Sequence, residues 1–447
     1  MASKPEETDQ INAAPTKAFF VEMLVRDVPL EQAVLDLVDN SIDGAKQMDA
    51  NDFKGRKIEI DFDRKQFRIL DNCGGFQRQV ARDYAFRFGR APGTPSIPNS
   101  IGQFGVGMKR ALFKFGRHFV VRSATSDETW AVDVDVDDWE SKPDDWHFDW
   151  ADFANGSEIS RRKPGTDIVV DRLRPEVATR FGIAQFENDL TGLIKSKHRQ
   201  FIADGLSISV NGTHLAATSL YLLVSNALQP GVETMSFGKS KNEIVKVRIV
   251  VGVGPSSPRD AGWYVICNGR VILEHDRRTV TGWGLVENEQ GRTIIPSYHN
   301  QFARFRGIVS FDCSDSARLP WNTPKTDVDQ DSPIWQKTFE RMIEMMRPVI
   351  DFLNELDKDV GEFTSEESPL LDRVNKASPT KVETLSRKAE FRAPSRGSLK
   401  KVQREIGIQY SRPVKDVEYL EDALNVSSAR AVGERTFDVV LKSQKAK

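Results

Sequence analysis

The stretch Glu31-Gln-Ala-Val-Leu-Asp36-Leu-Val-Asp39-Asn40-Ser-Ile-Asp43-Gly44-Ala45 decides how this chain is read. Ala33, Leu35, Leu37, Val38 and Ile42 supply the apolar side of a helix, while Asp36 and Asn40, at i and i+4, lie over one another on one face. A carboxylate there can act as a base. The carboxamide oxygen beside it suits magnesium, a hard ion that takes few protein ligands and completes its shell with phosphate oxygens and water. Alone, such a pair is more often a solvated helix face, and only the glycine motifs found further along the chain reverse that reading.

Two glycine motifs come next in order. Ile69-Leu70-Asp71-Asn72-Cys73-Gly74-Gly75-Phe76 is an apolar strand ending in a carboxylate, then a glycine pair that lets the chain turn tightly against a planar ligand. Ile101-Gly102-Gln103-Phe104-Gly105-Val106-Gly107-Met108-Lys109 opens a helical pattern, and glycine-rich backbone there can present N–H groups to phosphate oxygens. Gly102 and Gly107 have P-loop spacing, but Met108 stands where that motif demands lysine and Arg110 replaces its Ser/Thr, so the P-loop reading fails.

In this order the motifs resemble the GHKL ATPases (gyrase B, the ATP-dependent heat-shock chaperone, histidine kinases and MutL), most closely the MORC-like group, over residues 16–330. The resemblance makes the segment around Asp36 and Asn40 the N-box, Asp71 to Gly75 the adenine motif, and Gly102 to Lys109 the phosphate motif. Gly165-Thr166 resembles the fourth motif, whose threonine supports the adenine site. It implies an α+β fold: a Bergerat-type ATP-binding α/β sandwich with a mixed, antiparallel-rich sheet covered by helices, then a smaller α/β transducer-like domain and a basic C-terminal tail. ATP and Mg2+ are the implied ligands. Asp71 would take the adenine amino group and Asn40 the magnesium. Gly75, Gly102, Gln103, Phe104, Gly105, Val106, Gly107, Lys109 and Thr166 would complete the nucleotide site. Asp36 would activate water and Lys325, in Leu319-Pro-Trp-Asn-Thr-Pro-Lys325, would reach the γ-phosphate.

Two departures stand out. Most hydrolytic members carry glutamate where Asp36 stands, so the base is one methylene shorter and turnover is expected to be slow. Glu31 is five residues earlier, about 140° around the helix, and cannot substitute. Cys73 replaces the first glycine of D-x-G-x-G, so its backbone must avoid conformations that only glycine favours. The histidine-kinase branch fits poorly, because the six histidines include no phosphoacceptor helix pair.

The 447 residues suffice for two or three domains with proper cores. A net charge of −2 does not announce a nucleic-acid binder, and Cys73, Cys267 and Cys313 lack metal-ligand spacing. Three scattered cysteines, no signal-peptide core in Met-Ala-Ser-Lys-Pro-Glu-Glu-Thr and no apolar run of the roughly 20 residues that span a bilayer predict a cytoplasmic protein with no membrane role.

The organisation read from the pattern is a flexible 1–15, an ATP-binding domain over 16–175, a transducer-like domain over 176–330, a helix over 331–358, a basic flexible linker over 359–408 and a small module over 409–447. Lys57–Phe62 and 66–70 predict a hairpin, and 119–122, 130–137, 167–170, 245–251 and 263–267 further strands. Asn211-Gly212 marks another hairpin. The segment 88–107, rich in proline and glycine, reads as a lid. Residues 127–152 hold eleven acidic residues against one lysine and read as an acidic solvent face or a docking surface. Residues 373–404 carry ten Lys/Arg against two Asp/Glu and predict a disordered tether or a DNA phosphate-binding arm. The last module is expected to be strand-helix-strand.

Two functions remain in play. One is a slow Mg-dependent ATPase that dimerises on nucleotide and clamps DNA or another polymer. The other is an ATP-regulated, chaperone-like switch for an unknown protein partner, with little hydrolysis.

Overall fold

The computed structural model describes residues 16–26, 28–50, 52–87, 98–102, 107–154, 157–240, 243–286, 293–362, 368–395 and 407–445. They fall into two compact units, Met1–Arg396 and Gly397–Lys447.

The first sheet grows from the alternation around residue 60. Ile58, Ile60 and Phe62 of β1 (Lys57–Phe62) and Phe67, Ile69 and Asp71 of β2 (Phe67–Asp71) all point inward. Asp63 accepts hydrogen bonds from the Lys65 and Gln66 amides, which closes the antiparallel hairpin with Ile60 opposite Ile69. Further strands are β3 (Gly116–Ala124), β4 (Thr129–Asp135), β5 (Trp150–Ala151), β6 (Gly165–Leu173), β7 (Ser207–Val210) and β8 (Thr213–His214), in spatial order β5-β4-β3-β6-β2-β1-β7-β8. Within this sheet, among the described residues, only β1 and β7 pair in parallel.

The helices over this sheet are α1 (Lys17–Arg26), α2 (Leu30–Met48), α3 (Arg78–Val80, continuing as a π-turn to Ala85), α4 (Gly107–Phe115) and α5 (Val136–Glu140). α2 packs on α4, and α4 on β3 and β6. After β6 the chain crosses over through α6 (Pro175–Phe181), α7 (Ala184–Lys197) and α8 (Arg199–Ala203) to β7. The boundary expected at 175/176 therefore falls inside this layer, because parallel pairing of β7 with β1 requires a long crossover. This mixed, antiparallel-rich sheet with its helices is the expected GHKL architecture.

A second layer contains β9 (Tyr221–Val224), β10 (Gly231–Phe237), β11 (Val245–Val253), β12 (Gly262–Cys267), β13 (Arg270–Asp276), β14 (Leu285–Val286), β15 (Thr293–Ile295) and β16 (Phe305–Asp312). Five of them form the sheet β10-β11-β16-β12-β13. α9 (Pro333–Glu362) lays Met342, Met346, Val349, Ile350 and Leu353 into the core at helical spacing. The Trp263 indole N–H donates to Met346 Sδ at 3.4 Å.

The disordered tether expected over 373–404 is corrected for its described part. α10 (Pro369–Asn375) is followed by β17 (Ser378–Lys381), which pairs antiparallel with β9. The Val382, Ala389 and Arg392 amides donate to Leu220, Val232 and Gln229 carbonyls. Val374, Ala377 and Val382 are buried while Arg373, Lys376, Lys381, Arg387, Lys388 and Arg392 are exposed. Sparse apolar anchors plus an open β9 edge suffice to order a segment whose composition reads as disordered. Residues 396–406 lie outside the described residues.

In the second unit the expected strand-helix-strand is corrected to two helices, α11 (Val414–Leu424) and α12 (Ala429–Lys445). The run Thr436-Phe-Asp-Val-Val-Leu lies inside α12; its Phe437, Val439, Val440 and Leu441 are exposed. Local β-propensity lost to helix continuity here, since among the described residues of this unit no strand offers a ladder.

The three cysteines are buried. Acidic side chains of 127–152 face solvent almost throughout, while Trp130 and Trp139 are buried beneath them. Among the described residues no helix is long and apolar enough to cross a membrane.

Hydrogen exchange tests the docked segment. The Val382, Ala389 and Arg392 amides should be protected in the wild type. Val382→Asp, which buries an unpaired carboxyl, should expose all three without unfolding the rest; free exchange in the wild type would reject the docking.

Candidate functional site

Asp36, Asp39, Asn40 and Asp43 sit at i, i+3, i+4 and i+7 on α2, so a single stripe of polar side chains looks out of an otherwise apolar helix. It borders a cavity of about 570 Å3, also lined by Asp71, Gly75, Gly102, Gly107, Arg110, Thr166 and Lys325. Asp36 is buried, accepts from Gln32 Nε2 at 3.1 Å and Arg110 Nη2 at 3.0 Å, and has Lys325 Nζ 3.7 Å away. Asn40 is exposed into the cavity.

Asp39 is fully buried. It accepts from His198 Nε2 at 2.8 Å, Arg270 Nε at 2.9 Å and Lys325 Nζ at 2.8 Å. Burial alone would push its carboxyl up, but Arg270 and Lys325 override that and hold it well below the usual carboxylate range. Burial also lowers His198, so the ring is neutral near pH 7 and the Nε2–H tautomer is the one that can donate. Arg270 Nη1 continues to the Lys325 carbonyl at 2.9 Å. Lys325 itself has φ +57°, a left-handed backbone that costs a non-glycine residue on the order of 1 kcal/mol or more.

Asp43 works on the backbone. Its carboxylate accepts from the Ile101 amide at 2.8 Å and the Gly102 amide at 2.7 Å, fixing the entry to the phosphate motif against α2. Burial raises its pKa. Gly107 opens α4 directly over Asp36; a Cβ there would lie 3.1 Å from Asp36 Cβ. Gln103, Phe104, Gly105 and Val106, and 88–97 of the expected lid, lie outside the described residues.

Asp71 closes the other side. Its Oδ2 accepts from the Ser41 hydroxyl at 2.6 Å, and its Oδ1 from the amides of Cys73 at 2.9 Å and Thr166 at 3.1 Å. Those three bonds leave about one of a carboxylate's four acceptor sites for a ligand N–H. Burial raises its pKa as well. Gly75 has φ +62°, and a Cβ there would lie 2.3 Å from the Ala124 carbonyl oxygen. Cys73 has no left-handed backbone, so glycine's conformational range is used at Gly74 and Gly75 instead.

Lys109 is the predicted site residue that the structure turns away. It does not border the cavity; its buried Nζ donates to the Ala85 carbonyl at 2.7 Å, and burial pushes its pKa down to about 8. On α4 the neighbouring Arg110 faces Asp36 in its place, because one residue is a 100° turn of the helix. Sequence reasoning also passed over Asp39, Asp43, Ser41, Gln32, His198 and Arg270. The repeat of carboxylates at 36, 39 and 43 was the available signal.

Residues 28–166 match the family model described as histidine kinase-, DNA gyrase B-, and HSP90-like ATPase. That segment belongs to the GHKL ATPase superfamily. No curated protein matches the chain. The match is to the superfamily and does not single out the MORC-like branch. A GHKL domain carries an ATP site, and its motif residues converge here on one cavity.

The donor set suits magnesium held largely by substrate. Among the described residues no cluster of three His, Cys, Asp or Glu could cage a metal. A side chain at Gly102 would come within 3.3 Å of Asn40 Oδ1, so glycine there leaves that hard oxygen open to the cavity.

Asp39→Asn leaves Arg270 without its anion and Lys325 with only the more distant Asp36, and should destabilise the protein by about 3–5 kcal/mol in urea unfolding at pH 7. Because the folded-state pKa is depressed, the carboxylate's stabilisation is present above the unfolded value near ~3.9 and is lost as pH falls through the lower folded value. The gap between wild type and variant should therefore close in acid; a constant gap would mean the charge is not responsible. Lys109→Met should leave ATP affinity unchanged in calorimetry, whereas a large loss would mean that Lys109 reaches nucleotide after all.

Proposed function

We propose that this protein is a Mg-dependent ATPase that hydrolyses ATP to ADP and phosphate in the α2 cavity, closes over its nucleotide and dimerises, and so acts as a slow clamp. The observation that carries this reading is the convergence of Asp36, Asn40, Asp71 and Lys325 on one cavity. Ser41, which touches Asp71, lies five residues beyond Asp36, about 7.5 Å along the helix axis, so purine recognition and chemistry are separated on one rigid rod.

Asp71, supported by Ser41 and Thr166, accepts the adenine amino proton. Asp36 orients the attacking water and takes its proton. Phosphoryl transfer needs mainly positioning and charge stabilisation, which these residues can supply. Asn40 would hold magnesium, which neutralises phosphate charge when bound. Lys325 exchanges Asp39 for the γ-phosphate, coupling substrate to the second layer. DNA is the proposed client, approached by the exposed basic side chains between 373 and 392. Three buried cysteines without the spacing of a disulfide framework suit a cytoplasmic location.

A second reading, a nucleotide-sensing switch with little turnover that acts on a protein partner, is favoured by Asp36 itself. Its carboxylate is short and already engaged by Gln32 and Arg110.

Steady-state hydrolysis separates the two. Asp36→Asn should lower kcat by about 10²–10⁴-fold while ATP still binds, and Asn40→Ala should abolish the dependence of ATP affinity on magnesium. Wild-type protein that binds ATP without turning it over would hand the case to the switch. A non-hydrolysable ATP analogue should double the mass seen by light scattering; an unchanged mass would reject the dimer.

A further inference from the structure

A second, larger concavity, of about 1220 Å3, opens away from the ATP cavity between α7, the β9 edge and β13. No ATP motif contributes to it. Five of its lining residues are Lys or Arg (195, 199, 259, 277 and 306) against two acids, Asp260 and Glu274. The cations fall into two groups.

Arg306, Arg277 and Arg199 form the floor and are locked. Arg306 donates to the Ala303 carbonyl at 3.0 Å and Pro255 carbonyl at 3.1 Å, and Arg277 to the Ala261 carbonyl at 2.8 Å. Arg199 pairs with Glu274 and stacks 5.3 Å from the Tyr264 ring centroid. Carbonyl partners satisfy donors without cancelling charge, so Arg277 keeps a positive field in the groove, while Arg306 has Asp260 Oδ2 4.0 Å away. Lys195, half-buried, and Arg259, exposed, also line it and have no ion-pair partner among the described residues.

Tyr221 lines the same groove and is 40% exposed. On its other side it pairs in register with Lys381 of β17, so the groove is continuous with the row of exposed cations on the docked segment 373–392. The whole chain carries only −2, and eleven acids are gathered in 127–152, which makes this concentration of positive charge local.

We propose that this groove is a binding path for the phosphate backbone of duplex DNA, with Lys195 and Arg259 as its mobile phosphate contacts and Tyr221 as an aromatic edge against the sugar. The groove is open along its length and carries Lys, Arg, Ser and Thr with an aromatic, the mixture that contacts phosphate and sugar rather than an enclosed small ligand. This rests on DNA being the client. It is independent of hydrolysis.

The test is anisotropy of a short fluorescein-labelled duplex titrated with the full chain, without nucleotide, across a KCl series. Lys195→Ala/Arg259→Ala should weaken binding at least ~10-fold at low salt and reduce the log–log salt slope by about 1.8, two phosphate contacts at ~0.9 each. DNA-free ATP turnover should be unaltered, since neither residue borders the ATP cavity. Equal affinity and slope in wild type and double variant would overturn the groove while leaving DNA as client. A wild type that binds no duplex would remove both. Displacement of the duplex by polyglutamate at matched charge would overturn the proposal in favour of an acidic protein segment.

Discussion

Asp39 carries a buried negative charge that three side chains from separate parts of the chain must meet at once. His198 comes from the α7–α8 junction, Arg270 from the start of β13 and Lys325 from the loop after β16. An isolated carboxylate buried there would cost several kcal/mol, and each cation alone would cost about as much. Assembled, they satisfy one another only if the first sheet's helix, the second sheet and the Lys325 loop hold a single mutual arrangement. The ATP cavity inherits its shape from that arrangement, because Asp39 separates Asp36 from Asn40 and Asp43 on the same helical stripe.

The phosphate motif depends on the same joint by a second route. Asp43 holds the Ile101 and Gly102 amides, and Lys46, one turn on, donates to the Asn99 carbonyl at 2.9 Å and the Asn268 carbonyl at 3.0 Å. Asn268 Nδ2 reaches the Ser100 carbonyl at 3.1 Å. Residues 99–102 are thereby tied to α2 on one side and to the β12–β13 turn on the other. Any nucleotide that drew Lys325 from Asp39 would disturb contacts shared by both layers, which is a physical basis for coupling occupancy to shape.

Charge is sorted over the surface as well as in the core. Acids of 127–152 cover the β4 side, partly paired with Arg117 and Arg172. Exposed cations run along the docked segment, and five more, mostly half-buried, line the second groove. A net charge near zero conceals this division, because the sum discards position.

The sequence by itself determined the α+β class, the GHKL resemblance and a set of positions, Asp36, Asn40, Asp71, Gly75, Gly102, Gly107 and Thr166, that line one cavity. These come from local spacing: helix period, a strand ending in a carboxylate, and glycines where backbone approaches closely. Tertiary structure decided what spacing cannot carry. It turned Lys109 into the interior and Arg110 toward Asp36, since the rotation of α4 is set by packing on α2. It made Asp39 rather than Asp36 the meeting point of the buried hydrogen-bond donors, because His198, Arg270 and Lys325 approach from far along the chain. It placed β7 and β8 in the first sheet and ordered 373–395, because an open strand edge is a property of the fold and leaves no mark on the segment that will cover it.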